Sequence, residues 1–259
     1  MRSAERLRVG SVGGERVEGV RAVKELLAAG RRRVRRVVVA AGAADDSIVE
    51  LARARGARVE IVEPAQFRRL ARTTSHQGVL ADCAPAKDVG LEGIAAASLV
   101  VVVDHLEDPH NLGAIVRSAA GLGAEAVVLA RHRAVALTPA ATKVAAGGVE
   151  WLRFATVSSV PQGLRRLGQL GFWRVGLDAE GSTSIFDLAV ASEPVALVVG
   201  SEGRGVSPLT RRELDVVASI PMAPTVASLN AAVAASIALA AIAEARRRQA
   251  GTPAALGQR

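Results

Sequence analysis

The chain has 259 residues, half of them hydrophobic, and a formal net charge of +8 at pH 7. This length and hydrophobic content support one large or two modest packed domains, and they exclude a disordered or low-complexity chain. The single cysteine, Cys83, excludes an internal disulfide and a multi-cysteine zinc site, so we expect a cytoplasmic protein. We expect no signal peptide, because the first residues contain no apolar stretch, and no membrane span, because the most apolar C-terminal stretch is too short.

In the first third of the chain, the pattern of apolar residues predicts a small α/β unit. We expect helices at 17–27, 44–55 and 64–71, and strands at 34–40, 58–62 and 78–81. Residues 1–15 are expected to form a flexible tail, and residues 16–84 a domain. Residues 85–97 mix Pro, Gly and small polar residues without a sustained period, which is typical of a linker.

The remainder, residues 98–259, is predicted to be a second α/β domain. It opens with an unbroken β-branched run at 99–103, which is typical of a strand buried on both faces of a parallel sheet. Further strands are predicted near 126–130, 153–157, 173–177, 195–199 and 216–220, with helices between them and a final helix at about 229–248. This alternation indicates a layered α/β domain with a parallel sheet.

Positive charge is concentrated in the first domain. Residues 1–84 contain 17 Lys and Arg against 10 Asp and Glu, which accounts for nearly all of the excess. The densest run consists of Arg31, Arg32, Arg33, Arg35 and Arg36. Such a patch attracts phosphates through counterion release, which favours RNA or DNA as a partner. A solvated basic face is the alternative.

Three of the predicted strands are followed by polar or glycine-rich loops, at residues 104–113, 200–205 and 221–230. Open α/β sheets bind ligands at the carboxyl ends of their strands. If these strands are neighbours in the sheet, the three loops meet in one crevice and form a single site.

The first loop leads into a helix in which Gly113 and Ala114 precede Arg117 by about one turn. Helical side chains lean toward the N-terminus, so the Arg117 guanidinium is expected over these small residues and close to Asn111. An ordinary helix cap followed by a solvent-facing arginine is the alternative. A metal site is disfavoured, because the aspartates and histidines of this loop have no ligating partner elsewhere in the sequence.

The second loop has the glycine spacing of a phosphate-binding P-loop, but Val206 stands where that motif requires lysine, and Glu202 would repel phosphates. We therefore expect backbone that approaches a ligand closely, with Glu202 accepting hydrogen bonds. In the third loop, Ser228 and Asn230 open the last helix, where short polar side chains and N–H groups can face a ligand together. Taken alone, Ser228 is interpreted as an N-cap.

These motifs resemble those of the SpoU/TrmH family, the RNA ribose 2′-O-methyltransferases of the SPOUT class. The resemblance is carried by DPHNLGAIVRSA at 108–119, LVVGSEGRGVS at 197–207, and IPM at 220–222 with SLN at 228–230. The three motifs occur in the family's order. VEGVRAV at 17–23 and SHQGVLA at 75–81 resemble the ribosomal-protein-like RNA-binding domain that several members carry. The resemblance therefore covers about the whole chain.

The resemblance implies an α/β fold whose C-terminal stretch forms a deep trefoil knot, S-adenosylmethionine as cofactor without a metal, and a homodimer. By motif it assigns catalytic or substrate-binding roles to Asn111, Arg117, Glu202, Ser228 and Asn230. It places the cofactor against Val199, Gly200, Ile220, Met222, Ser228 and Leu229. RNA binding is expected at the arginine run and at His76 and Gln77.

The implied activity is methyl transfer to a ribose 2′-hydroxyl of structured RNA. The first-domain pattern is closer to enzymes that act on large-subunit ribosomal RNA, of the 23S guanosine type, than to minimal tRNA enzymes. Arg117 either accepts the hydroxyl proton with help from an RNA phosphate, or stays cationic and stabilises the forming alkoxide. The alternatives are a tRNA methyltransferase, an antibiotic-resistance rRNA methyltransferase and an inactive RNA-binding ribosome-assembly factor.

Overall fold

A computed structural model describes residues 12–43, 46–74, 76–131, 136–201, 205–226 and 228–251. These residues divide into two compact units. The first unit takes those within Met1–Asp88, Asp108–Arg117 and Val135–Phe154, and the second takes those within Val89–Glu107, Ser118–Ala134 and Ala155–Arg259. The division does not follow chain order, because two segments from later in the sequence belong to the first unit.

The first unit is built around a four-stranded sheet with the strand order β1-β4-β2-β3. Strands β2 and β3 are parallel, and the other two pairings are antiparallel. Along the chain, the elements are β1 (Arg16–Glu18), α1 (Val20–Ala29), β2 (Val34–Ala40), α2 (Asp46–Ala54), β3 (Arg58–Val62), α3 (Pro64–Leu70) and β4 (Val79–Cys83). Apolar residues of α1 and α2 form one core cluster with β2 and β4, and Phe67 of α3 belongs to a second, smaller cluster.

The start of the first helix was predicted wrongly. The apolar stripe suggested a helix from residue 17, whereas Arg16–Glu18 forms a strand that pairs with β4. Gly19, with a φ of 105°, turns the chain before α1 begins at Val20. The strand is also held through Glu18, whose buried carboxylate accepts hydrogen bonds from the backbone N–H groups of Arg72 and Thr73 and from the Thr73 hydroxyl.

The larger sheet has seven strands in the order β7-β6-β5-β10-β8-β11-β9. Its strands are β5 (Leu99–Val103), β6 (Ala126–Ala130), β7 (Arg153–Val157), β8 (Trp173–Leu177), β9 (Thr183–Ser184), β10 (Val195–Val199) and β11 (Val216–Ser219). The helices are α4 (Pro109–Gly121), α5 (Pro139–Val144), α6 (Val160–Gln169), α7 (Pro208–Arg211) and α8 (Ala231–Gln249). The predicted α/β architecture, a small sheet domain followed by a parallel-sheet domain, is confirmed.

Every residue of the central strands β5 and β10 is buried, as expected for strands covered on both faces. Alternate residues of these strands pack with α6 residues such as Leu164 and Leu167 in the second unit's core. In the described part of the chain, no helix combines the length and the apolar character needed to cross a bilayer.

Two expected irregular segments have defined contacts. Residues 12–15, expected in the flexible tail, exchange backbone hydrogen bonds with residues 83–86. Within the expected linker, Glu92–Ile94 forms a 3-10 turn, and the fully buried Ile94 joins the hydrophobic core of the second unit. Burial of a large apolar side chain contributes about 1.5–3 kcal/mol, so this segment is anchored at least at Ile94. Residues 1–11 lie outside the described residues.

Candidate active site

A cavity of about 480 Å³ opens at the carboxyl ends of β8, β10 and β11, inside the second unit. This volume lies within the range of about 300–1,000 Å³ typical of small-molecule sites. All six predicted cofactor-binding residues line it: Val199, Gly200, Ile220, Met222, Ser228 and Leu229. The second and third sequence motifs therefore meet at one cavity, as the order of the parallel strands requires.

The glycine-rich loop that follows β10 folds back on itself beside this cavity. Ser201 and Gly205 form an antiparallel bridge, and Gly205 has a φ of 61°. A Cβ at Gly200 would lie 2.0 Å from the Gly205 carbonyl oxygen, so no side chain fits at this position. Val206, at the lysine position of a P-loop, is buried in the hydrophobic core, which agrees with the rejection of that motif. The predicted catalytic Glu202 lies outside the described residues.

A fully buried carboxylate anchors the far end of this loop. Asp104, the residue after β5, accepts a hydrogen bond of 2.9 Å from the Ser207 backbone N–H through Oδ2. Its other oxygen, Oδ1, lies 2.6 Å from Nδ1 of the exposed His105. Because Ser207 in turn caps α7 by accepting a hydrogen bond from the Thr210 N–H, Asp104 fixes the loop between β10 and α7.

Three charged cavity residues were not predicted from the sequence. Asp178 and Glu180 follow β8, and Arg211 ends α7; all three line the cavity. An Arg211 Nη1 atom lies 2.6 Å from Asp178 Oδ2. The signal was available, because Asp178 directly follows a predicted strand and precedes Gly181, which is the same pattern that marked the other loops.

The third motif divides its two polar residues between different tasks. Asn230 is the N-cap of α8, and its Oδ1 accepts hydrogen bonds from the N–H groups of Ala232 and Val233. Ser228, interpreted from the sequence as an N-cap, does not cap the helix but lines the cavity with an exposed side chain. This is a correction: the helix begins two residues later than that interpretation requires, because an amide oxygen at residue 230 already satisfies its first N–H groups.

The first motif has a different local geometry from the one expected. Asp108 caps the start of α4, its carboxylate accepting a hydrogen bond of 2.9 Å from the His110 N–H. The space above Gly113 is filled by α5: a Cβ there would lie 2.5 Å from the Ala141 carbonyl oxygen. The Arg117 side chain is exposed and makes no hydrogen bond or ion pair with described residues. Gly113 therefore serves helix packing rather than leaving room for this arginine.

The arginine run of the first unit is not uniform. The Arg32 side chain is buried against the Glu150 carboxylate, and Arg36 donates hydrogen bonds to Asp82. Both pairings raise the pKa of the arginine against the opposing effect of burial. Burial acts to raise the pKa of Asp82, but the hydrogen bonds and positive charges of Arg36 and Arg16 together outweigh it and hold that pKa below its ordinary value. Arg32 and Arg36, expected to contact RNA, are thus engaged in ion pairs.

The remaining members of the run are more accessible. Arg31, Arg33 and Arg35 are exposed, and Arg33 and Arg35 form no side-chain hydrogen bond or ion pair within the described residues. His76 and Gln77, the other expected RNA contacts, have local roles: His76 Nδ1 accepts a hydrogen bond from the Gly78 N–H, and Gln77 Oε1 accepts one from the first N–H of α1.

Comparison with known proteins identifies the family. A family model described as the SpoU rRNA methylase family matches residues 98–240, and one described as RNA 2′-O ribose methyltransferase substrate binding matches residues 16–89. The 23S rRNA (guanosine-2′-O-)-methyltransferase RlmB of Coxiella burnetii is 33% identical over 247 residues, which cover 92% of this chain and 97% of that protein. A Synechocystis tRNA/rRNA methyltransferase is 36% identical over 198 residues, 74% of this chain but only about half, 51%, of its own length.

Solved structures agree with these matches. The SpoU methyltransferase AviRb from Streptomyces viridochromogenes, in complex with the cofactor AdoMet, has a TM-score of 0.77 and 27% identity, with 90% of each chain covered. The architecture, the convergence of two motifs at one cavity and the two family matches all agree. The chain therefore belongs to the SpoU rRNA methylase family of RNA 2′-O-ribose methyltransferases, and it carries the substrate-binding domain of such enzymes at residues 16–89.

Proposed function

We propose that this protein transfers a methyl group from S-adenosylmethionine to the 2′-hydroxyl of a guanosine in 23S ribosomal RNA. The observation that carries the proposal is the cavity at the ends of β8, β10 and β11, around which all six predicted cofactor residues meet. The RNA substrate is supported by the RlmB relative of Coxiella burnetii, which matches over nearly its full length. We infer a cytoplasmic location from this substrate class.

The residues present fit such a cofactor. Ile220, Met222 and Leu229 offer an apolar wall for a flat adenine ring, and Asp178 and Glu180 place carboxylates at the same cavity. Carboxylates attract a sulfonium cation and accept hydrogen bonds from ribose hydroxyls. When bound, S-adenosylmethionine supplies an activated methyl group for in-line transfer to an oxygen nucleophile.

The chain's own residues position the nucleotide and stabilise the charge that develops on its hydroxyl oxygen, while the hydroxyl proton passes to solvent water. Ser228 reaches the cavity directly, and Asn230 fixes the start of α8 beside it. We assign substrate positioning to Asn111 and Glu202, and charge stabilisation to Arg117. A guanidinium stays protonated at physiological pH, so a cationic Arg117 that holds an RNA phosphate and stabilises the forming alkoxide is favoured over a role as proton acceptor.

RNA contact is assigned to Arg31, Arg33 and Arg35. Replacing Arg33 and Arg35 by Gln removes two exposed cations, and it should flatten the log–log dependence of RNA affinity on salt by about 0.7–0.9 for each phosphate that is no longer neutralised. The matched control replaces Arg53 and Arg68 by Gln, since both are also exposed in the first unit but lie outside the run. If the slope of log affinity against log salt concentration is identical in the two double variants, the arginine run is not part of the RNA-binding surface.

We also propose that the enzyme is a homodimer and that its C-terminal stretch is knotted, as in the family it belongs to. Dimerisation is supported by exposed apolar side chains in the second unit: Met222, Val226 and Val233 are 37%, 54% and 47% exposed. Val233→Asp is expected to shift the mass measured by light scattering toward the monomer. An unchanged mass would exclude Val233 from the interface.

The decisive experiment is a methylation assay on 23S rRNA with purified protein, followed by mapping of ribose methylation. One methylated guanosine is expected, and methylation of tRNA alone would redirect the proposal to that substrate.

Titration calorimetry with S-adenosylmethionine separates an enzyme from an assembly factor, because an inactive RNA-binding protein would show no binding. Arg117→Gln, which removes the cation, should lower turnover with cofactor affinity unchanged, and full turnover in this variant would refute both roles of Arg117.

A further inference from the structure

The first unit contains more than the substrate-binding domain. Residues 108–117 and 136–154, which lie within the match to the methylase family, group with residues 12–88 in one compact body. The contacts between residues 12–88 and residues 136–154 include one buried ion pair. We call this pair, Arg32 with Glu150, the joint.

Arg32 satisfies its guanidinium entirely inside the unit. Nε and Nη2 donate to the two carboxylate oxygens of Glu150, in the bidentate geometry that arginine forms best. Nη1 donates to the carbonyl oxygens of Gly14 and Ala84, at 2.8 and 3.2 Å. Gly14 precedes β1 and Ala84 follows β4, so they mark the two ends of the four-stranded sheet in the chain. The Arg32 side chain therefore connects both ends to Glu150.

The joint is nearly inaccessible to water. The Arg32 and Glu150 side chains are 7% and 2% exposed, although the two residues are 118 positions apart in the sequence. A buried ion pair adds little net stability compared with a packed apolar pair, but removing one partner leaves an uncompensated charge. The bidentate pairing also allows only one orientation of the guanidinium relative to the carboxylate. Such a pair is suited to hold Glu150 in one position relative to the four-stranded sheet.

Further contacts surround the joint. Trp151, next to Glu150, donates a hydrogen bond of 3.2 Å from Nε1 to Glu25, and the Arg31 guanidinium carbon lies 5.8 Å from the centre of its ring. Gly147 is pressed against Glu25, since a Cβ there would lie 2.3 Å from the Glu25 Cγ. The segment 147–151 is thus fixed against α1.

The same segment continues to the first catalytic motif. Helix α5 precedes residues 147–151, and it packs on α4 at Gly113, where a Cβ would meet the Ala141 carbonyl oxygen at 2.5 Å and the Val144 Cβ at 2.7 Å. This part of α4 carries Asn111 and Arg117. A continuous series of close contacts therefore links Arg31 and Arg32, at the start of the arginine run, to the helix of the first motif.

We propose that Arg32 and Glu150 are positioning residues, whose ion pair fixes the spacing between the RNA-contacting face and the Arg117-bearing end of α4. The inference rests on the proposed function. When RNA binds to Arg33 and Arg35, this fixed spacing lets only one nucleotide reach Arg117. That nucleotide is the one whose distance from the bound phosphates matches the distance from these two arginines to Arg117. The joint thereby contributes to the choice of nucleotide, while it touches neither cofactor nor substrate.

The test compares Glu150→Gln with Asp215→Asn, a matched loss of one carboxylate charge. Asp215 pairs with Arg174 in the second unit, which lowers the pKa of its carboxyl, and it lies outside the cavity lining. Glu150→Gln is expected to lower kcat on structured rRNA by about tenfold or more, since small displacements of reacting groups are costly, and to leave the KM for RNA within about threefold. Methylation should also spread to neighbouring nucleotides. Asp215→Asn should keep wild-type kcat and a single site.

An activity-independent measurement accompanies the assay. Amide hydrogen exchange at residues 109–117 should speed up in Glu150→Gln and stay at the wild-type rate in Asp215→Asn. If Glu150→Gln fails to fold, Trp151→Ala, at a half-exposed position beside the joint, is expected to give a weaker effect of the same kind. Wild-type exchange, kcat and site choice in the folded variant would overturn the proposal. A wild-type protein that methylates no RNA would instead refute the proposed function, and the exchange result would still decide the joint.

Discussion

Loss of the Asp104 carboxylate is expected to destabilise the protein and weaken its cofactor cavity together. In Asp104→Ala the backbone N–H of Ser207 loses its acceptor in a part-buried position. Leaving such a donor unpaired costs about 1–3 kcal/mol, and the truncation adds a small cavity beside fully buried residues. We therefore expect the free energy of unfolding to fall by about 2–3 kcal/mol.

The effect should extend to the cavity, because Val206 and Pro208, on either side of Ser207, both line it. A loosened loop is expected to weaken S-adenosylmethionine binding several-fold. Urea denaturation measures the first quantity and titration calorimetry the second. Asp104→Asn keeps an amide oxygen that can accept the hydrogen bond from Ser207. This variant should therefore lose less free energy of unfolding and less cofactor affinity than Asp104→Ala.

The matched control is Glu107→Ala, which removes an exposed carboxylate from the same loop. Exposed substitutions of this kind change stability by about 0.5 kcal/mol or less. Equal stability of Asp104→Ala and Glu107→Ala would contradict this prediction, because the buried hydrogen bond would then contribute nothing measurable. A loss of stability with wild-type cofactor affinity would also contradict it, since the cavity would then not depend on this anchor.

Three further outcomes follow from the structure. Gly200→Ala should abolish cofactor binding in calorimetry, because its Cβ meets backbone, whereas Gly121→Ala, where nothing lies within 4 Å, should bind normally. Asn230→Ala should lower the free energy of unfolding by about 0.5–2 kcal/mol in urea titrations because the α8 cap is removed, and an unchanged midpoint would contradict that role. Burial raises the pKa of the Cys83 thiol to about 11, so the folded state holds this proton more tightly than the unfolded chain does. The contribution of this proton to the free energy of unfolding is complete below the ordinary thiol pKa of about 8.5, and it is lost as pH rises toward 11. In Cys83→Ala, the free energy of unfolding should therefore change less with pH over that interval.

The strands of the larger sheet were predictable because continuous apolar β-branched runs have few other stable placements. The runs at 99–103 and 195–199 form β5 and β10, which are buried along their whole length. The short strands β1 and β9 were missed, because three and two residues carry no periodicity. Their extended form depends on partners such as β4, about 60 residues away, which local sequence does not reveal.

The motifs predicted six of the residues that line the cavity but missed its charged residues. The residues elsewhere whose roles were misjudged failed for a common reason. Gly113 and Arg32 were interpreted from their neighbours in sequence, as space for Arg117 and as a phosphate contact. Their actual partners, α5 and Glu150, are distant in the chain. A glycine or an arginine shows by its type that something approaches it closely, but only the tertiary structure shows what does.

The order of strands in the larger sheet bears on how the protein is made. Strand β5 pairs with β6 on one side and with β10 on the other, and its β10 partner emerges from the ribosome roughly 100 residues later. Until then, one edge of β5 has no hydrogen-bonding strand partner, and an unpaired apolar strand edge can pair with other chains and aggregate. Acquisition of the native state should therefore be slow and sensitive to concentration during synthesis, so that yield depends on translation speed and on chaperone supply.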